Sequence, residues 1–258
     1  MAVPEPSSVL ITGASSGIGA ALAEAYARAG SHLAMTGRDQ ARLEAVATRC
    51  RATGAEVATF ALDVADRAAM AELIARCDAA HPLDLVHANA GVSGSTSGLA
   101  GGNRTEPVIR RIFAVNLDGV LNTILPVVPL MKERRRGQIA IMSSLAALLP
   151  LPGMAAYGAT KAAVKSFGEA LRMELRPHGI GVSVICPGYV RSRMTATLPD
   201  RQPLIMDAAK AAALIKRRLA GDPAVIGFPW PYYYLSWALG ALPAWVRLPI
   251  LGAYLREP

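Results

Sequence analysis

Tyr157 and Lys161 stand four residues apart in an alanine-rich stretch of helical period, Met154–Arg176, and the pair Ser143-Ser144 closes an apolar run upstream of them. A spacing of four puts phenol and ammonium on one helix face, within reach of a shared ligand. A tyrosine near pKa ~10 is a poor base at neutral pH, but an adjacent ammonium favours the phenolate and brings it nearer its working range. A serine hydroxyl can hydrogen-bond an oxygen that gains negative charge. Strand alternation sends Ser143 and Ser144 to opposite faces, so only one of them meets a substrate. The chemistry on offer is proton transfer at a substrate oxygen. The Tyr-x-x-x-Lys spacing also occurs by chance on helix surfaces, so its meaning depends on the elements around it.

Short β-branched runs alternate with longer alanine-rich stretches along the chain. Strands are expected at Ser8–Thr12, His32–Thr36, Glu56–Ala61, Leu83–Ala88, Gln138–Met142, Gly181–Cys186 and Val225–Phe228. Helices are expected at Ile18–Ala29, Asp39–Thr53, Arg67–Ala79, Glu106–Met131, Met154–Arg176 and Asp207–Ala220. The alternation predicts βαβ units, hence an α/β fold: a Rossmann-type doubly wound parallel sheet of about seven strands with helices on both faces. Gly30 and Gly54 are placed as helix C-caps, and Asp39 and Asp66 as N-caps. The 258 residues, 52% of them hydrophobic, suit a single catalytic domain over 1–258. Residues 228–258 form an aromatic, proline-rich extension packing on it or on a partner. Val92–Thr105, rich in glycine and serine, predicts a loop, and its Asn103-Arg104-Thr105 sequon reads as chance.

Directly after the first strand comes Thr12-Gly13-Ala14-Ser15-Ser16-Gly17-Ile18-Gly19, opening the first helix. Glycine permits the tight turn and close backbone approach that a pyrophosphate needs, and a helix N-terminus offers free amides and partial positive charge. Asp63-Val64 follows the third strand, Asn89-Ala90-Gly91 the fourth and Pro187-Gly188 the sixth. On these motifs, from about Val9 to Phe228, the chain resembles the short-chain dehydrogenase/reductase family.

That resemblance implies a nicotinamide-dependent oxidoreductase interconverting a ketone or aldehyde and an alcohol. Gly13, Ser15, Ser16, Gly17, Ile18 and Gly19 would hold the cofactor phosphates, and Asp63 with Val64 the adenine. Asn89, Ala90 and Gly91 would line the cofactor, and Pro187, Gly188 and Val190 would meet the nicotinamide. Ser144 precedes Tyr157 by thirteen residues, the interval the family shows, which selects it over Ser143 as the catalytic hydroxyl. Tyr157 would exchange the proton, Lys161 would bind the ribose and tune the phenol, and Asn116 would hold a helix open for a water-linked proton path. Ala88 stands where a second asparagine is common in the family, and Ser192 replaces a threonine.

The end of the second strand carries Gly37, not the acid that would accept from a ribose hydroxyl and repel a 2′-phosphate. Arg38 follows, and with Ser15 or Ser16 it favours NADP(H) through bidentate phosphate binding. Asp39 keeps NAD(H) possible.

The net charge of +8 comes from scattered basic residues and two clusters, Lys132 with Arg134–Arg136 and Lys216–Arg218, that read as solvated helix-end faces. No nucleic-acid partner is expected. Cys50, Cys77 and Cys186 are odd in number and far apart, and His32, His81, His87 and His178 show no metal-ligand spacing, so neither disulfide nor metal is expected. Val9-Leu10-Ile11 is too short for a signal peptide, which points to the cytoplasm. Trp230, Trp237, Trp245 and Tyr232–Tyr234 crowd the last thirty residues. They suit a pocket wall, a subunit interface of a homodimer or homotetramer, or peripheral membrane contact. A greasy setting of this kind implies a small, hydrophobic carbonyl or alcohol substrate. Two other readings remain: an epimerase or dehydratase using the same tyrosine and lysine, and a cofactor-binding regulatory or scaffold protein without turnover.

Overall fold

The computed structural model describes residues 5–94, 105–151, 153–197 and 204–256. In chain order the elements are β1 (Ser8–Ile11), α1 (Gly17–Tyr26), β2 (His32–Gly37), α2 (Gln40–Arg51), β3 (Glu56–Ala61), α3 (Arg67–Ala80) and β4 (Leu85–Ala88). There follow α4 (Thr105–Phe113), a π-helical turn (Ala114–Asp118), α5 (Gly119–Ile124), α6 (Val127–Glu133), β5 (Gly137–Met142), α7 (Ala155–Leu175) and β6 (Ile180–Pro187). The chain closes with α8 (Ala208–Leu219), β7 (Val225–Phe228), α9 (Trp230–Ala241) and α10 (Ala244–Arg256).

The seven strands form one sheet of order β3-β2-β1-β4-β5-β6-β7, every pair parallel. Parallel strands need crossovers, and here the helices supply them on both faces. Alternation along β1 shows how the two cores divide: Val9 and Ile11 join Leu22, Leu33 and Ile215 on one side, while Leu10 joins Val86, Ile139 and Val164 on the other. Each such wholly buried aliphatic side chain contributes about 1.5–3 kcal/mol. Helices α1, α2 and α8 cover the first face; α3 through α7 cover the second.

Local chemistry sets the helix starts. Asp39 accepts from the Arg42 amide and Asp66 from the Ala69 amide, both at 3.0 Å, so each aspartate meets an otherwise free N–H in the first turn. The helix ends fall earlier than the glycines suggest. α1 stops at an extended Ala27 and α2 at Ala52, leaving Gly30 and Gly54, with φ of 77° and 86°, to turn the chain into the next strand. The long helix expected over Glu106–Met131 is broken by the π-turn and by Pro126, whose ring cannot continue the i to i−4 ladder. The C-terminal extension is two helices, of which α9 packs on β7 and on the 3₁₀ turn Leu145–Ala147. The sequon and the middle of the predicted Val92–Thr105 loop lie outside the described residues.

Candidate active site

Strand order reverses between β1 and β4, and the carboxyl ends of these strands open the crevice where ligands of such sheets bind. Thr12 organises that crevice. Its hydroxyl donates to the His87 carbonyl at 3.2 Å and accepts from the amides of Asn89 and Ala90 at 3.0 Å each, while the Asn89 side-chain amide donates back to the Thr12 carbonyl at 2.8 Å. The glycine turn and the Asn89-Ala90-Gly91 segment are thus one hydrogen-bonded unit.

The glycines are required by close approach. A Cβ on Gly19 would stand 2.3 Å from the Gly13 carbonyl oxygen, and one on Gly13, at φ +69°, would stand 2.8 Å from Ala90 Cα. Ser16 occupies the N-cap of α1 without a side-chain cap bond, so no side chain caps the first-turn amides of Gly17, Ile18 and Gly19 at the positive end of the helix. The cradle fits a dinucleotide pyrophosphate.

At the end of β2, a Cβ on Gly37 would lie 3.1 Å from Ser15 Oγ, a tight contact that brings the glycine turn against the end of the strand. Arg38 is exposed and makes no ion pair among the described residues, whereas Asp39 is spent as the α2 cap and on an ion pair with Arg42 at 2.7 Å. Asp63 accepts from the Ala65 amide at 3.0 Å and from Arg111 at 2.6 Å. Burial alone would raise its carboxyl, but these two bonds, with the charges of Arg111 and Arg38, hold it below the ordinary range. Val64 is buried beneath Gly119, and its carbonyl accepts from Asn122.

Ser144, two residues beyond the end of β5, caps the following 3₁₀ turn, accepting from the Ala146 amide at 3.1 Å. Its hydroxyl also hydrogen-bonds Tyr157, the third residue of α7. One turn on, Lys161 is buried, with Nζ 5.8 Å from the centroid of the Tyr157 ring and donating to the Met142 carbonyl at 2.7 Å. Ser143 points the other way and donates to the Lys161 carbonyl at 2.8 Å. Burial lowers Lys161 to about 8, the charge of Cys186 opposing slightly. Burial also raises Tyr157, and its bond with Ser144 only partly offsets this. Within the protein alone, desolvation therefore outweighs the bond to Ser144, and the phenol stands above its ordinary range.

Asn116 sits in the π-turn, where the Gly119 amide reaches back five residues to the Ala114 carbonyl. Such turns widen a helix locally and recur at functional sites. The buried Asn116 side chain clamps Val92, accepting from its amide at 2.8 Å and donating to its carbonyl at 2.9 Å, with a further bond to Thr160 at 3.3 Å. A Cβ on Gly91 would touch both Asn116 Oδ1 and Lys161 Nζ at 3.4 Å, so these three residues share one small space. Opposite them, Gly188 donates to the Phe228 carbonyl at 2.7 Å and packs under Pro229 and Leu145; Pro187 ends β6, and Val190 is buried beside it. Ser192 lies 3.1 Å from the position of a Cβ on Gly17, bringing the segment after β6 over the glycine turn. Sequence reading gave Thr12, Arg111 and the Met142 carbonyl no role. The position of Thr12 at the strand end was the available signal for the first; the other two depend on tertiary contacts.

This combination of a glycine cradle at the switch point and a serine, tyrosine and lysine converging on the same edge defines a dinucleotide-binding oxidoreductase. The short chain dehydrogenase family model matches residues 7–203, and the chain belongs to that family. It is 40% identical over 222 residues to an uncharacterized oxidoreductase of Myxococcus xanthus, an alignment covering 86% of this chain and 87% of that one. Its fold matches a short-chain dehydrogenase from Sphingobium yanoikuyae in complex with NADPH, with a TM-score of 0.78 at 30% identity over 86% of this chain and 87% of the other. It also matches a short chain dehydrogenase/reductase from Burkholderia phymatum in complex with NAD, with a TM-score of 0.79 at 27% identity over 89% and 91% of the two chains.

Proposed function

We propose that this protein is an NADP(H)-preferring reductase or dehydrogenase that interconverts a hydrophobic ketone and its secondary alcohol. The observation that carries the reading is the convergence of Ser144, Tyr157 and Lys161 beside the glycine cradle. When bound, the nicotinamide supplies or accepts the hydride. Tyr157 gives its proton to the substrate oxygen during reduction, and Ser144 hydrogen-bonds the same oxygen as charge develops there. Lys161 holds the ribose hydroxyls and, while protonated, favours the phenolate that remains. Asn116 keeps Val92 and the widened helix in place beside Lys161.

The preference for NADP(H) is supported by the exposed Arg38, which makes no ion pair among the described residues, by the absence of an acid at Gly37 and by the engagement of Asp39 with Arg42. Asp63 and Val64 then take the adenine end. Hydrophobic substrate choice is supported by the stretch from Leu145 to Ala156, which joins Ser144 to Tyr157 without one polar side chain, and by α9 lying on its first turn. Exposed Leu125 beside α5 and Met173 on α7 support assembly into a homodimer or homotetramer through the long helices. The test is initial-rate consumption of NADPH and of NADH with bulky apolar ketones and with small hydrophilic carbonyls. The reading expects NADPH with the apolar ketones to be fastest; turnover confined to hydrophilic carbonyls or to NADH overturns it.

A further inference from the structure

At the edge of the sheet opposite the crevice, three side chains far apart in sequence meet. His32 opens β2 and Glu56 opens β3, directly opposite each other in the parallel register, and His81 caps the end of α3. His32 Nδ1 lies 3.1 Å from Glu56 Oε2, and His81 Nε2 lies 3.9 Å from the same oxygen. The two imidazoles stack with centroids 3.5 Å apart, and all three ligand atoms fall within 4.8 Å of one another.

We infer that His32, Glu56 and His81 form a site for a divalent transition-metal ion of the zinc type. A tetrahedral ion with nitrogen and oxygen ligands at about 2.0–2.2 Å sets its ligands about 3.3 Å apart. The two measured separations to Glu56 lie on either side of that value. Two imidazoles and one carboxylate are a borderline donor set, suited to zinc, nickel or copper and unsuited to calcium or magnesium.

The backbone under the cluster is fixed from three directions. The His32 amide donates to the Ser7 carbonyl at 2.7 Å, the Glu56 amide to the Ser31 carbonyl at 2.9 Å, and the Ser8 hydroxyl to the His81 carbonyl at 3.1 Å. Binding therefore needs only side-chain movement. Metal–nitrogen bonds lie in the ring planes, so the half-exposed His81 ring must swing out of its 13° stack, and Glu56, at 72% exposure, is free to follow. The fourth ligand is solvent. β3 is the outermost strand on its side of the sheet, and a shared ion ties it to β2 and to the end of α3.

The experiment is calorimetric titration of the chelator-treated full-length protein with Zn²⁺, repeated with Co²⁺ while following its visible absorption. One equivalent is expected, with the Co²⁺ bands of a tetrahedral site. His81→Ala and Glu56→Gln each weaken binding by roughly tenfold or more, while Cys77→Ser, which removes the thiol one turn before His81, and His178→Ala leave it unchanged. At saturating Zn²⁺ the parent melts several degrees higher and His81→Ala does not. Absence of binding by the parent overturns the inference. Binding that survives His81→Ala, or that disappears with Cys77→Ser, overturns it equally.

Discussion

The Ser143 hydroxyl donates to the backbone carbonyl of Lys161 at 2.8 Å, which ties the chain just after β5 to the second turn of α7. Two adjacent serines thus divide the work. Ser143 fixes the helix from behind, and Ser144 faces the phenol. Ser143→Ala is expected to lower the melting temperature, a loss of about 1 kcal/mol, with kcat reduced modestly. Ser144→Ala is expected to lose about 1 kcal/mol with the cap on Ala146 and, unlike Ser143→Ala, roughly a hundredfold in kcat. Equal kinetic losses from both variants contradict this division.

Arg38→Ala is expected to raise the KM for NADPH by about tenfold to a hundredfold, the worth of a charge-assisted bond to phosphate, and to leave the KM for NADH nearly unchanged. Steady-state kinetics with both cofactors checks it. A parallel rise for NADH shows instead that Arg38 acts on a part common to the two.

Gly19→Ala places a methyl group 2.3 Å from the Gly13 carbonyl oxygen, a backbone atom that cannot step aside cheaply. The turn must open, at about 1–3 kcal/mol, and dinucleotide binding is lost with it. Quenching of protein fluorescence by NADPH reports the binding, and a melting curve reports the strain.

Lys161 carries a pH signature. Burial lowers it to about 8, so its ammonium is favoured less in the folded protein than in the unfolded chain. Below about pH 8 both states hold the proton and the penalty, roughly 3 kcal/mol, is complete. Between about 8 and the ordinary lysine range the unfolded chain binds more protons, so this residue's contribution to stability improves as pH rises. The difference in melting temperature between the parent and Lys161→Met should move in the parent's favour from pH 7 to pH 10. A difference independent of pH contradicts the lowered lysine.

The strand and helix order was legible because each βαβ unit alternates β-branched runs with helical period, and Asp39 and Asp66 announce their caps locally. The two glycine C-caps were misplaced because Gly30 and Gly54 serve the turns into β2 and β3, a demand set by strand direction. The π-turn at Asn116 was hidden inside a stretch of helical period, and the clamp on Val92 that accompanies it joins residues twenty-four positions apart. Tyr157 and Lys161 were legible as neighbours because four-residue spacing is intrinsic to a helix. Their titration was not, because it depends on burial under β5 and β6. His32 and His81 look unrelated at their separation in the chain, and only the parallel register and the end of α3 bring them together.

Tyr157 is proposed to exchange a proton with a carbonyl or alcohol oxygen beside a bound nicotinamide. This exchange is tested most directly by NADPH consumption across a panel of apolar ketones, the parent beside Tyr157→Phe, with cofactor binding measured separately. Turnover by the parent and loss of nearly all of it in the variant, which still binds NADPH, are expected. Undiminished turnover by Tyr157→Phe, or tight cofactor binding by a parent that neither reduces any ketone nor oxidises any alcohol, contradicts it.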